Sequence, residues 1–202
     1  MNLTLANLVQ RALGSIVDPR QAARDVMALD LTRRNRWDIL TLVIVLSAVL
    51  AQLTFVMAGQ QGAPEMAAPA FTSSPIALGA VQAFLLLAMV FGIHLVGKKA
   101  GGTGSLDDAI ILVAWLQFIM IVLQVIQSVL LFTIAPLAML IGLAGIVIFF
   151  WLLANFVAEM HGFKSLGGVL VGIFLTLIVF AIILSFVLAF AGILPEGVPA
   201  DV

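Results

Sequence analysis

Two histidines, one asparagine and one glutamate are the side chains of this sequence best suited to chemistry. They lie near the ends of long apolar segments and are His94, Asn155, Glu159 and His161. Imidazole and carboxylate groups together can bind a divalent cation. Their spacing matches no metal motif, however, so we expect no metal, no cofactor and no catalytic residue. The four remain candidates for contact with a partner.

Three glutamines occupy the middle of another apolar segment and form a possible polar strip. Gln117 and Gln124 are seven residues apart and share one helix face, whereas Gln127 lies about 60° away from Gln124 around the helix. In one interpretation these amides form hydrogen bonds between neighbouring helices. In the other they line a path for translocation. Gln52 and Gln82 raise the same question for two further apolar segments.

The segment Gly101–Ser105, which reads GGTGS, resembles a phosphate-binding loop in composition alone. It contains no Gly-Lys-Ser/Thr sequence, follows no strand, and precedes Asp107 and Asp108, which would repel an anion. Ser105 and Asp108 have instead the spacing of a capping box that begins a helix. A structural cap is therefore favoured over a ligand site.

The amino-acid composition indicates which class of protein carries these residues. Of the 202 residues 63% are hydrophobic and 9% charged, and the mean hydropathy is +1.26. Soluble domains carry roughly 25% charged residues, so a soluble enzyme is excluded. The absence of cysteine excludes disulfides and thiolate chemistry. A net charge of −1 argues against nucleic acid as a partner. The predicted class is an all-α, polytopic membrane protein.

Runs without charge predict a bundle of five membrane-spanning helices. Glycine and alanine recur at spacings of three or four residues in the last two, which favours close helix packing; the residues are Ala138, Gly142, Gly145, Gly168 and Gly172. The predicted spans lie near residues 39–58, 76–97, 109–132, 137–158 and 168–191. They form a domain over 37–194, between an N-terminal segment, 1–36, and a short external tail, 195–202.

The distribution of lysine and arginine predicts the orientation of these spans. With five spans, all nine basic residues lie on one side of the membrane, which the positive-inside rule makes cytoplasmic. The N-terminus is then cytoplasmic and the C-terminus external. We predict no cleavable signal peptide, because the first apolar run begins only at residue 39.

Two short amphipathic helices are predicted before the first span. Residues 3–17 collect apolar side chains on one half of a helical wheel, with Ser15 on the polar half. Asp18 and Pro19 suit the N-cap and first position of a second helix, about 19–31. The two helices either brace the bundle at the membrane surface or provide a docking platform for a cytosolic partner.

Several segments resemble the Yip-one family of Ypt/Rab-GTPase-interacting membrane proteins. The sequence GGTGSLDDAIILVAW (Gly101–Trp115) is similar to the family's glycine-rich loop and third span. Pro136, Trp151 and MHGFKSLGGVLVGI (Met160–Ile173) resemble its fourth span, next loop and fifth span. Asp18–Arg20 resembles the short proline-containing helix of bacterial members, and the segment before the first span is short, as in that branch.

The resemblance implies a non-enzymatic protein of the bacterial inner membrane with a periplasmic C-terminus. We expect a membrane-organising or adaptor role through the cytoplasmic helices and loops. The expected partners are the lipid bilayer and a membrane protein, a cytosolic protein or a second copy of the chain. The alternative function is a small transporter or permease subunit with a path along Gln117 and Gln124. An intramembrane enzyme is disfavoured, because every charged residue lies outside the spans.

Overall fold

Seven α-helices, and no strand, make up almost all of the residues that the computed structural model describes, 4–60 and 75–190. The predicted all-α fold is therefore confirmed. The predicted external tail, 195–202, lies outside the described residues. The helices are α1 (Leu5–Val17), α2 (Pro19–Met27), α3 (Arg33–Gln60), α4 (Pro75–Lys99), α5 (Leu106–Thr133), α6 (Ala135–His161) and α7 (Leu166–Phe190).

Five of these helices, α3 to α7, are long and apolar enough to cross a membrane, as predicted. The largest difference from the predicted bounds is in α3, which begins at Arg33 rather than near residue 39. Thr32 explains the earlier start, because its hydroxyl accepts a hydrogen bond from the backbone N–H of Asn35 (3.2 Å). A cap of this kind pairs a free backbone N–H at the helix N-terminus, whatever the charge of the residues that follow.

The predicted signals for the start of α5 and of α6 are both confirmed. Ser105 and Asp108 form the capping box: the Ser105 hydroxyl accepts from the Asp108 N–H (3.1 Å), and the Asp108 carboxylate accepts from the Ser105 N–H (3.3 Å). Pro136 stands in the first turn of α6, where its missing N–H leaves no bond unmade. Only Ile134 separates α5 from α6.

One end of the bundle carries the basic residues, and we call it the basic end; Arg33, Arg34, Arg36, Lys98, Lys99 and Lys164 define it. Helices α3, α5 and α7 begin there, and α4 and α6 end there. Helix α5 is the central element, because it packs against α3, α4 and α6 and also against α1 and α2. Helix α7 is peripheral and packs mainly on α6.

The buried core is concentrated toward the basic end. Continuous buried runs cover Ala109–Ala114 on α5 and Leu152–Ala158 on α6. The packing there is close, since a void among α4, α5 and α6 measures only about 10 Å³, about the minimum that one water molecule requires. Away from this region the helices expose large apolar side chains, and α7 does so along most of its length.

The two predicted amphipathic helices form, but the second is shorter than predicted. Asp18 caps α2 through a hydrogen bond from the Gln21 N–H to its carboxylate (3.0 Å), and Pro19 takes the first position. Helix α2 ends at Met27 rather than near residue 31. The guanidinium of Arg36 accounts for the early end, because it donates to the carbonyl oxygens of Leu29 (3.5 Å) and Leu31 (3.4 Å) and holds them outside a helix.

Candidate functional site

His161, the last residue of α6, connects three elements at the basic end. Its Nδ1 accepts a hydrogen bond from the backbone N–H of Gly104 (3.2 Å), in the loop between α4 and α5. A ring nitrogen that accepts carries no proton, so the proton is on Nε2. Nε2 lies 3.1 Å from the carbonyl oxygen of Ile93 on α4 and donates to it. The buried imidazole is therefore fully used as a structural link.

Three glycines make room for the last turn of α6. A Cβ added at Gly97 or Gly102 would collide with the His161 ring, and one at Gly104 would lie 2.7 Å from the Met160 side chain. The glycine-rich loop thus lies directly against the end of α6. Its composition serves close contact with a histidine, in agreement with the structural interpretation of GGTGS.

The four residues singled out as candidate contacts do not converge on one site. Glu159 forms an ion pair with Arg24 of α2 (2.9 Å), and the amide nitrogen of Asn155 donates to the Trp151 carbonyl on its own helix (2.8 Å). Nδ1 of His94 is buried without a hydrogen-bond partner among the described residues. Within residues 4–60 and 75–190, no group of three or more acidic, histidine or cysteine side chains is placed to hold a metal ion.

Two tryptophans attach α1 to the spans. The indole N–H of Trp115 on α5 donates to the Ser15 hydroxyl (3.1 Å), and that of Trp151 on α6 donates to the Ile16 carbonyl (3.3 Å). Ser15 falls on the polar half of the helical wheel, yet it is only 2% exposed. The reason is that its hydroxyl is satisfied twice, since it also donates to the Arg11 carbonyl (2.8 Å).

Arginines attach α2 and the start of α3 to the basic end. Arg33 pairs with Asp107 (2.8 Å), and Arg36 approaches Asp108 (3.5 Å) while donating to the Asp107 carbonyl (2.9 Å). These contacts fasten the start of α3 to the N-terminus of α5. The Arg24–Glu159 pair holds the N-terminal helix pair, which we define as α1 and α2, against the C-terminus of α6. Acidic groups also suit the first turn of α5, because of the helix dipole.

In the glutamine strip, Gln117 lies just before the midpoint of α5, and Gln124 and Gln127 lie in the half that leads away from the basic end. Gln117, Gln124 and Gln127 are all partly buried, and the amide of Gln127 lies over Gly142 of α6. The hydrogen bond between α3 and α5 that is found nearby joins the hydroxyls of Thr54 and Ser128 (3.0 Å). Oε1 of Gln52 is buried without a partner among the described residues.

Sequence reasoning missed the residues that attach the N-terminal helix pair. Trp115 and Trp151 carried a usable signal, because an indole N–H inside an apolar helix needs an acceptor. Ser15 carries a hydroxyl on an amphipathic helix, and such a hydroxyl can serve as that acceptor. The identity of the partner was hidden, since Ser15 and Trp115 are separated by 100 positions along the chain.

The chain matches one family model, described as the Yip1 domain, over residues 13–187. That range contains α2 to α6 in full, the glycine-rich loop, the C-terminal part of α1 and most of α7. No curated protein and no solved structure matches the chain. The family match confirms the resemblance seen in the sequence, and the five apolar helices agree with an integral membrane protein. The chain belongs to the Yip1-domain family.

Proposed function

We propose that this chain is a non-enzymatic membrane-organising or adaptor protein that recruits a protein partner through its N-terminal helix pair. The proposal includes a bacterial inner membrane location, with the basic end in the cytoplasm and the C-terminus in the periplasm. The grouping of all nine basic residues on one side of five spans supports that orientation. In the described residues, charged side chains lie at the basic end or on the helix pair, which argues against a reaction in the membrane interior.

The length of α5 supports the proposal that part of the bundle projects from the bilayer. Its 28 residues measure about 42 Å, whereas the hydrocarbon core is about 30 Å thick. Roughly 12 Å of α5 therefore exceeds the hydrocarbon thickness, and the charged residues Asp107 and Asp108 in its first turn favour placing that excess at the basic end. Trp115, which donates to Ser15, lies about 14 Å along α5 from Leu106. The helix pair thus covers the projecting part of α5 and α6.

The observation that carries the adaptor role is the fixed outward surface of this pair. Two indole hydrogen bonds and the Arg24–Glu159 ion pair set its position on the bundle. Leu13 is 45% and Val17 86% exposed, and the side chains of Arg11 and Asp25 on the same helix pair are also exposed. A rigid surface that mixes apolar and charged groups is suited to a protein partner, because little ordering entropy is lost on binding.

Site-specific photo-crosslinking of the full chain in its host tests this role. A photoreactive residue at Leu13 should give a discrete protein adduct, and a second change, Val17→Ser, should abolish it. The matched control is Val171→Ser, a similarly exposed valine on α7, which should leave the adduct unchanged. An adduct that survives Val17→Ser, or adducts with lipid alone, would contradict the adaptor role. An adduct of twice the chain mass would identify a second copy as the partner.

Orientation has its own test. A reporter that is active only in the periplasm, fused after Val202, should be active, because the C-terminus follows the fifth span. The control is the same reporter fused in the loop at Lys99, which should be inactive. Activity at Lys99 and none at Val202 would reverse the proposed orientation.

The alternative function is a small transporter or permease subunit with a polar path along Gln117 and Gln124. The buried Oε1 of Gln52, which has no partner among the described residues, is the observation that favours it, because an unpaired amide oxygen in this part of α3 suits a transient polar ligand. If the path is real, replacing Gln117 and Gln124 by leucine should abolish flux into vesicles without changing thermal stability. Unchanged flux would exclude this alternative.

A further inference from the structure

A cavity of about 700 Å³ lies between α4, α6 and α7. This volume falls within the range of about 300–1,000 Å³ that small-molecule sites occupy. Its walls are almost entirely apolar, and the one hydroxyl within the α7 wall, that of Thr176, already donates to the Gly172 carbonyl (2.7 Å). The middle of the cavity therefore offers carbon surface and suits a hydrocarbon chain.

Glycines create this space, although their spacing in the sequence favours close helix packing. Gly92 on α4 and Gly168 and Gly172 on α7 all line the cavity. A Cβ added at Gly92 or Gly172 would meet no atom within 4 Å. The expectation that Gly172 allows close approach of a neighbouring helix is therefore wrong. The small residues of α7 leave a gap that the chain itself does not fill.

The length of the cavity matches one leaflet of a bilayer. Its wall extends from Ala100, just after α4, to Leu85 on α4, and from Ser165, just before α7, to Phe180 on α7, about 22 Å in each case. Half of a bilayer that is about 40–45 Å thick with its headgroup regions is about 20–22 Å. Phe180 lines the far end and contacts Phe84 of α4, with ring centroids 6.1 Å apart. The cavity thus runs from the headgroup level at the basic end to about the midplane.

The mouth of the cavity carries positive charge. Lys164 lines it and is the single charged residue among those described that do so. The ion pairs found in the described residues use Arg24, Arg33 and Arg36, so Lys164 keeps its charge uncompensated by a carboxylate. Lys98 and Lys99 immediately precede Ala100 but do not line the cavity. A ligand with one anionic head and an apolar tail complements this arrangement.

We propose that the cavity binds one phospholipid with a net negative headgroup, with an acyl chain between α4 and α7 and the phosphate at the Lys164 ammonium. The lipid comes from the leaflet at the basic end. It fills the gap that α7 leaves and so joins this peripheral helix to α4. This inference is independent of the proposed adaptor role, which concerns α1 and α2 on the other side of α6.

Native mass spectrometry of the full chain tests the proposal, with phosphatidylglycerol and phosphatidylcholine as the two probes. The unchanged chain should retain one phosphatidylglycerol in preference to phosphatidylcholine. Lys164→Gln should lower that preference about fivefold, the ratio expected for one basic residue at an anionic lipid surface. Lys164→Arg should keep it. The matched control is Lys99→Gln, which removes a lysine that does not line the cavity and should change the ratio much less.

Cavity-filling variants test where the acyl chain lies. Gly92→Leu and Gly172→Leu have room for the new side chain and gain helix propensity, so both should fold. Each should abolish the retained lipid. Gly145→Leu is the matched control, because an added Cβ there also meets nothing within 4 Å but the residue does not line the cavity. It should bind lipid normally.

Three results would overturn the proposal. The first is equal retention of the two lipids by the unchanged chain. The second is retention of phosphatidylglycerol by Gly92→Leu and Gly172→Leu at the level of Gly145→Leu. The third is a dimer that the filling variants convert to a monomer with lipid retention unaltered, which would make a second copy of the chain the occupant.

Discussion

The His161 ring and the backbone of Gly97 are in such close contact that a side-chain carbon at residue 97 would occupy the position of the imidazole. Helices α4 and α6 meet at this point, and the same ring donates to the Ile93 carbonyl one turn earlier on α4. Glycine at position 97 is therefore required by this contact with another helix. The local course of α4 does not require it, because Gly97 lies within a regular helix.

Gly97→Ala should destabilise the bundle by about 1–3 kcal/mol, the usual cost of forcing a methyl group into a close-packed interior. The control is Gly92→Ala, five residues earlier on α4, where an added Cβ meets nothing within 4 Å. That variant should be stabilised by about 0.5–1 kcal/mol, because alanine is the better helix former. Chemical unfolding in detergent, followed by tryptophan fluorescence, measures both. Equal stability of the two variants would contradict the His161 contact.

Arg36 and Arg33 should differ in their contribution to stability although both pair with acidic residues of α5. The Arg36 side chain is 12% exposed and reaches the carbonyls of Leu29, Leu31 and Asp107, whereas that of Arg33 is 65% exposed and reaches one carboxylate. Arg36→Gln should cost about 1.5–3 kcal/mol, and Arg33→Gln less than about 1 kcal/mol.

Salt separates these two arginine contributions further. The Arg33 effect should fall in 1 M salt, because exposed pairs are screened. The Arg36 effect should largely persist, since most of its partners are carbonyl oxygens. Thermal melts at low and high salt are the measurement, and equal salt sensitivity of the two variants would show that Arg36 is not buried as described.

The Ser15–Trp115 hydrogen bond should appear as a coupling energy in a double-mutant cycle of Ser15→Ala and Trp115→Phe. Polar contacts between membrane helices average about 0.6 kcal/mol and reach about 1.7 kcal/mol, so the coupling should lie in that range. Hydrogen exchange of α1 amides should rise in both single variants, because the bond holds α1 on the bundle. Ser47→Ala is the control, since the Ser47 hydroxyl donates to its own helix at Ile44 (3.0 Å). It should combine additively with Trp115→Phe.

Signals confined to neighbouring residues could be predicted from the sequence. The caps at Asp18 and Ser105 and the proline turn at Pro136 were found because each involves residues no more than three or four positions apart. The five spans followed from the absence of charge over long runs. The early start of α3 was not predicted, because the spans were placed by the absence of charged residues. The helix begins instead at a cap formed by Thr32.

Contacts between distant residues could not be predicted. Nothing near Ser15 indicates that an indole from α5 will bind its hydroxyl. His161 resembled one of a scattered group of polar residues, and its role depends on Gly97, Gly102 and Gly104 leaving room for its ring. The small residues of α7 show the same limit: spacing alone did not distinguish a close helix contact from an open cavity.

Because the buried core is concentrated toward the basic end, the half of the bundle in that leaflet is stiff and the half in the other leaflet is compliant. In the leaflet of the basic end, α5, α6 and the N-terminal helix pair are locked together by packing and ion pairs. In the other leaflet, the helices share fewer contacts and can tilt separately. A bilayer that becomes thinner or thicker imposes a mismatch that costs a fraction of a kcal/mol per Å. That strain would be relieved in the compliant half, with the surface carried by the helix pair left undisturbed.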